Sequence, residues 1–132
     1  MIPEIPGILN WAAGRILTEI APHLPAGYGQ ASTGTLAMML VLSAQEYEHG
    51  ADTRVWENTR MRAILAKGGM ETDPPDGSLL MSALTAANNR LRSDLIRLHE
   101  AVEEGASADK ALEQEILQFL KESAGRRRLH VA

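Results

Sequence analysis

Residues 68–78 read GGMETDPPDGS. Two glycines, an adjacent pair of prolines and an Asp-Gly-Ser triplet end one helix and precede another, because none of these residues sustains a helix interior. Long apolar patterns at helical spacing flank the stretch on both sides, so it reads as the connection of a helical hairpin.

Upstream, the pattern predicts a second helix from about Thr35 to Lys67, roughly 50 Å long at 1.5 Å per residue. Gly50 interrupts it, but an isolated glycine costs only about 1 kcal/mol against alanine, so the helix is expected to be continuous. Downstream, helix 3 is expected over 79–104. Gly105-Ala106-Ser107 then separates it from helix 4 over 107–124, with Ser107 as the N-cap. A first helix over 8–21 buries Leu9, Ala12, Ala13, Ile16 and Ile20 and stops at Pro22. Helix 4 places Leu112, Ile116, Phe119 and Leu120 on one face. Strand signals are nearly absent, since aromatics make up 4% of the 132 residues and no segment alternates apolar with polar. The expected fold is all-α: a single-domain, antiparallel four-helix bundle in which a long central helix 2 pairs with helix 3.

Both helices of the hairpin carry a near-heptad seam. In helix 2 it runs Leu40, Ala44, Tyr47, Ala51, Val55, Asn58, Arg62, Leu65; in helix 3, Leu84, Asn88, Leu91, Leu95, Leu98, Val102. Antiparallel pairing about Pro74 sets Val55 near Leu91 and Ala44 near Val102, and the same register sets Asn58 opposite Asn88. A seam asparagine specifies register, because its amide loses hydrogen bonds in any other pairing. On this reading the asparagines act as a pair, and replacing both by leucine recovers much of what a single replacement loses. The register also brings His99 near Tyr47, with Arg54 and Arg92 on the flanks. These polar residues form either an internal network that specifies pairing or a ligand pocket.

Composition narrows the function classes. A net charge of −4 disfavours nucleic acid as a partner. The one basic run, Arg126-Arg127-Arg128, reads as a solvated helix end complementing the negative dipole terminus. Absence of cysteine removes disulfides, thiolate metal sites and cysteine nucleophiles. The N-terminus has no secretory pattern, and the longest apolar run, Leu36–Leu42, is far below the roughly 20 residues of a membrane span. The expectation is a soluble cytoplasmic protein without a membrane or nucleic-acid partner.

No motif points to chemistry. The loop PAGYGQASTGT, residues 25–35, has the glycine spacing of a phosphate cradle but lacks the lysine and the preceding strand. Its hydroxyls, Ser32 and Thr33, read as helix caps. Glu46 and His49 supply one Glu-x-x-His pair where a dinuclear metal site needs two, so they are at most weak metal candidates. No nucleophile stands beside a base; His23 lies in a proline-bounded loop and His130 in a frayed tail. Hence no catalytic residue, cofactor or metal is expected, and enzymatic activity is unsupported.

The tryptophans carry the interaction signal. Trp11 falls opposite the core face of helix 1, and Met38, Leu42, His49 and Trp56 form a second stripe on helix 2 away from helix 3. Trp11, Leu42 and Trp56 are therefore candidates for an interface, with a second copy of the chain or with another protein. The segments ENTRMRAIL and ANNRLRSDLIRLHEAVE resemble small helical proteins of bacteria. No activity comes with the resemblance, which covers the hairpin alone. The expected function is a non-enzymatic interaction or accessory subunit; the alternative is a small-molecule- or metal-binding bundle that uses the polar seam.

Overall fold

The computed structural model of the chain describes residues 4–105 and 109–130. It is all-α, with α1 over Ile5–Arg15, α2 over Tyr28–Lys67, α3 over Met81–Glu104 and α4 over Lys110–Arg126, and no strand among the described residues. Among the described residues, no helix is long and apolar enough to cross a membrane. The chain divides into two compact units, Met1–Gly50 with Leu129–Ala132, and Ala51–Arg128.

In the first unit, α1 passes into a five-residue π-helical stretch, Ile16–Ile20, and then a 3-10 turn at Ala21–His23, where Pro22 ends helical hydrogen bonding. Helix α2 starts seven residues earlier than expected. Gly27, at φ +146°, makes the entry turn. The hydroxyls in that stretch do not cap. Thr33 and Thr35 lie inside the helix and donate back to the carbonyls of Gly29 and Ala31 at 2.8 and 3.1 Å. The helix then runs unbroken through Gly50, as anticipated. His130 is not frayed: its N–H donates to Gln45 Oε1 at 2.8 Å and its carbonyl accepts from Gln45 Nε2.

The second unit holds the core, formed by Met61, Ile64 and Leu65 of α2, Leu91, Leu95 and Leu98 of α3, and Leu112, Ile116 and Phe119 of α4. The expected pairing of α2 with α3 is present, but its direction is reversed. Asn88 donates to Asn58 at 3.0 Å, and ten residues further along both helices Leu98 packs on Gly68 so closely that a Cβ there would lie 2.6 Å from Cδ1. Antiparallel pairing from the same asparagine contact would leave Leu98 about 30 Å from Gly68 at 1.5 Å per residue. The two helices are therefore parallel in this unit. Helix α4 runs antiparallel to both, since Lys67 meets Glu115 while Glu57 meets Ser123.

Parallel neighbours require a return connection, and residues 68–80 provide it. Gly69, at φ +76°, closes α2 with a Schellman motif in which Gly69 N–H donates to Ala66 and Met70 N–H to Leu65, both at 3.0 Å. The chain then doubles back along the bundle. Asp73 pairs with Arg90 at 3.1 Å and Asp76 with Arg62 at 2.9 Å. Helix α3 begins two residues later than expected, at Met81, after Ser78 Oγ accepts from Leu80 N–H. Helix α4 is capped by Asp109, which accepts from Leu112 N–H at 3.0 Å; the expected cap, Ser107, lies outside the described residues. On α4, Leu120 is 38% exposed and lies off the core face.

Adding a methyl at Gly68 must displace a packed leucine. Gly68→Ala is expected to lower stability by about 1–3 kcal/mol. Combined with Leu98→Ala, which vacates that space, it is expected to cost clearly less than the sum of the two single changes. Denaturant unfolding measures both, and strict additivity would place the two residues apart.

Candidate functional site

On α2, Glu57, Met61 and Ile64 share one stripe; on α4, Leu112, Ile116, Phe119 and Ser123 share another. Meshing the apolar members carries Glu57 to Ser123, where the carboxylate is fully buried, 0% exposed. Arg127 Nε donates to Oε1 at 2.8 Å and to Oε2 at 3.1 Å, Ser123 Oγ donates to Oε2 at 3.1 Å, and Arg92 Nη2 donates to Oε2 as well. Desolvation raises the Glu57 pKa, but the Arg127 hydrogen bond and the charges of Arg92 and Arg127 outweigh it and hold the carboxyl below its ordinary value.

The network continues through the asparagines. Asn88 Oδ1 accepts from Arg92 Nε at 2.9 Å and Arg127 Nη2 at 3.2 Å, while Asn88 Nδ2 donates to Asn58 Oδ1. Asn58 Nδ2 in turn donates to the Leu84 carbonyl at 3.2 Å and to both Asp76 oxygens at 3.3 Å. One chain of hydrogen bonds thus links the return loop, α2, α3 and the end of α4. Its members satisfy one another, and the carboxylate has no face turned to an open cavity. A network closed in this way favours one register of the helices it joins. A cleft of about 380 Å³ lies beside it under the return loop, lined by Arg62, Asp73, Asp76, Ser78 and Arg90. The buried Nε of Arg62 has no hydrogen-bond partner there.

Of the polar residues picked from the sequence, Asn58, Asn88 and Arg92 converge in this network. Arg54 is half-buried in the same unit. His99 does not join them. It sits eleven residues beyond Asn88, near the C-terminal end of α3 beside Glu103, because the antiparallel register that would bring it to Tyr47 is not the one formed. Tyr47 belongs to the other unit and is 61% exposed. Glu46 and His49 belong to no group of three metal-type donors among the described residues.

The interface candidates separate. Trp11 is 64% exposed, with Arg15 over its ring at 5.3 Å. Leu42 is half-buried beside a shallow apolar recess of about 230 Å³ shared with Met39 and Leu129. Trp56 is instead committed within the second unit: it stacks on Phe119 at 5.8 Å, and Arg126 covers its ring at 4.1 Å. The basic run stays exposed, yet it is also engaged inside this unit, with Arg126 over the Trp56 ring and Arg127 paired with Glu57 at 2.8 Å.

Glu57, Asp76, Ser123 and Arg127 carry the network, and sequence reasoning missed all four. The available signal was Glu57 within the Met61–Ile64 stripe, an acid on an apolar face with three arginines waiting at the end of α4. No protein-family model, curated protein or solved structure matches the chain.

At pH 7, Glu57→Gln is expected to cost about 1–3 kcal/mol, below the full cost of breaking a buried pair because Arg92 and Arg127 retain partial access to water. A carboxyl whose folded pKa is depressed contributes stability above its unfolded value and loses it as pH falls through the folded one. The gap between wild type and variant is therefore expected to narrow in acid, below the ordinary glutamate range. The double change Asn58→Leu, Asn88→Leu is expected to recover little, because it also strands Asp76, Arg92 and Arg127. Urea midpoints across pH measure both effects.

Proposed function

We propose that the protein is a non-enzymatic interaction subunit whose first unit associates with a second copy of the chain. One observation carries this reading. Among the described residues of that unit, the buried positions are Ala13, Ala37, Ala44 and Gly50 alone, whereas Trp11, Tyr28, Leu36, Met38, Met39 and Tyr47 are exposed by 46–90%. No side chain larger than a methyl is buried there, so the unit lacks a core of its own. Exposed aromatic and methionine side chains in this number mark a candidate interaction surface.

The charge pattern favours self-association. Between residues 4 and 50 the only Asp, Glu, Lys and Arg side chains are Glu4, Arg15, Glu19, Glu46 and Glu48, with His23 and His49 beside them. Such a surface offers little to steer a charged partner, and its scarcity of basic residues disfavours anionic lipid. Two identical apolar faces need no charge complement. Burying one large apolar side chain contributes about 1.5–3 kcal/mol. Half a dozen on each of two copies can offset the roughly 4–15 kcal/mol cost of association. A cysteine-free acidic chain of this kind suits a cytoplasmic setting.

Light scattering at micromolar concentration is expected to give twice the 14.3 kDa chain mass. Trp11→Glu together with Met39→Glu is expected to give a monomer whose second unit remains folded. A wild-type monomer up to about 100 μM, where even weak dimers populate, would refute the homodimer, and a dimer indifferent to both changes would place the interface elsewhere.

A further inference from the structure

The geometry points to a divalent-cation site where α3 hands over to α4, built from His99, Glu103 and Glu113. His99 and Glu103 lie one turn apart near the C-terminal end of α3, and Glu113 stands in the first turn of α4. One donor atom from each comes within 4.8 Å of the others. This site lies wholly within the second unit and is independent of the apolar surface of the first.

Two features single this cluster out from ordinary surface acids. The first is His99 Nε2, which is closed off from water and makes no hydrogen bond, although Glu103 Oε1 is 3.4 Å away. A buried ring nitrogen without a partner costs stability, and a metal ion on that nitrogen removes the deficit. The second is charge. Two carboxylates beside one imidazole leave a net negative charge even when the ring is protonated, and a divalent cation neutralises it.

The donor set selects the metal. One imidazole nitrogen with two carboxylate oxygens suits a borderline divalent ion such as Zn²⁺, whereas Mg²⁺ and Ca²⁺ favour oxygen alone. Metal–ligand distances of about 2.0–2.2 Å bring neighbouring donors to roughly 3–3.5 Å, so donors now as much as 4.8 Å apart must close by up to about 1.5 Å. Glu103, 58% exposed, is free enough to supply that movement. Three protein ligands leave a fourth tetrahedral position for water. The ion would staple the end of α3 to the start of α4 across the connecting segment.

Full-length protein stripped with chelator and titrated with Zn²⁺ by calorimetry is expected to take up one equivalent per chain. Co²⁺ is expected to develop the visible absorption of a low-symmetry nitrogen–oxygen site. His99→Gln and Glu113→Gln are each expected to weaken Zn²⁺ by about tenfold or more, the scale reached when even an outer-sphere partner of a metal ligand is lost. His49→Gln is expected to leave it unchanged. In wild-type protein the His99 ring resonances are expected to shift on Zn²⁺ addition, a readout that needs no variant to fold. No saturable uptake at about 1 mM Zn²⁺, the weak end of specific affinities, overturns the site. Uptake that leaves the His99 ring unshifted overturns it equally.

Discussion

A carboxylate cannot be taken fully out of water without partners, and Glu57 imposes that requirement on the whole second unit. It is met from three directions: Arg92 on α3, and Ser123 and Arg127 at the end of α4. Placing all three around one carboxylate sets how far α4 must extend and on which side of α2 it lies. The same guanidiniums reach Asn88, which reaches Asn58, which reaches Asp76 of the return loop. Sliding α3 by one turn would strand several of these groups at once and would also carry Leu98 off Gly68. The apolar core supplies attraction and the polar chain supplies a single arrangement.

Helix content, the continuity of α2 through Gly50 and the contact between the asparagines were legible because each depends on local periodicity. Direction was not. From Asn58 the α2 seam runs on to Met61, Leu65 and Gly68, and from Asn88 the α3 seam runs on to Leu91, Leu95 and Leu98, at identical spacings. Parallel pairing therefore aligns the asparagines as well as antiparallel pairing does, and periodicity alone cannot separate the two. Length could have. The thirteen residues from 68 to 80 exceed the roughly two to eight of an ordinary helix–helix connection and suffice for a return along the bundle. Arg126 and Arg127 were misread for a related reason: a basic run past a helix has an adequate local explanation, and only the position of Glu57 and Trp56 shows that it is used internally.

The two units differ in what they leave unfinished. The second has a core of large apolar side chains and pairs its buried carboxylate, Glu57, although Leu79, Leu80, Ile96 and Leu117 stay exposed. The first buries only alanine and glycine and presents aromatic and methionine side chains to solvent. Function in such a chain is more naturally sought where the physical chemistry is incomplete than where it is closed. The surface around Trp11 is open in this sense, whereas the polar network, for all its charged groups, is closed.

Native-state hydrogen exchange followed as a function of protein concentration tests this contrast most directly. Amides around Glu57, Met61, Leu91, Leu95 and Ile116 are expected to exchange only through global unfolding, at every concentration. Amides of α1 and of α2 before Gly50 are expected to open locally in dilute protein and to gain protection as concentration rises. Equal, concentration-independent protection in both regions would mean that the first unit is already complete in the isolated chain, and would contradict the account.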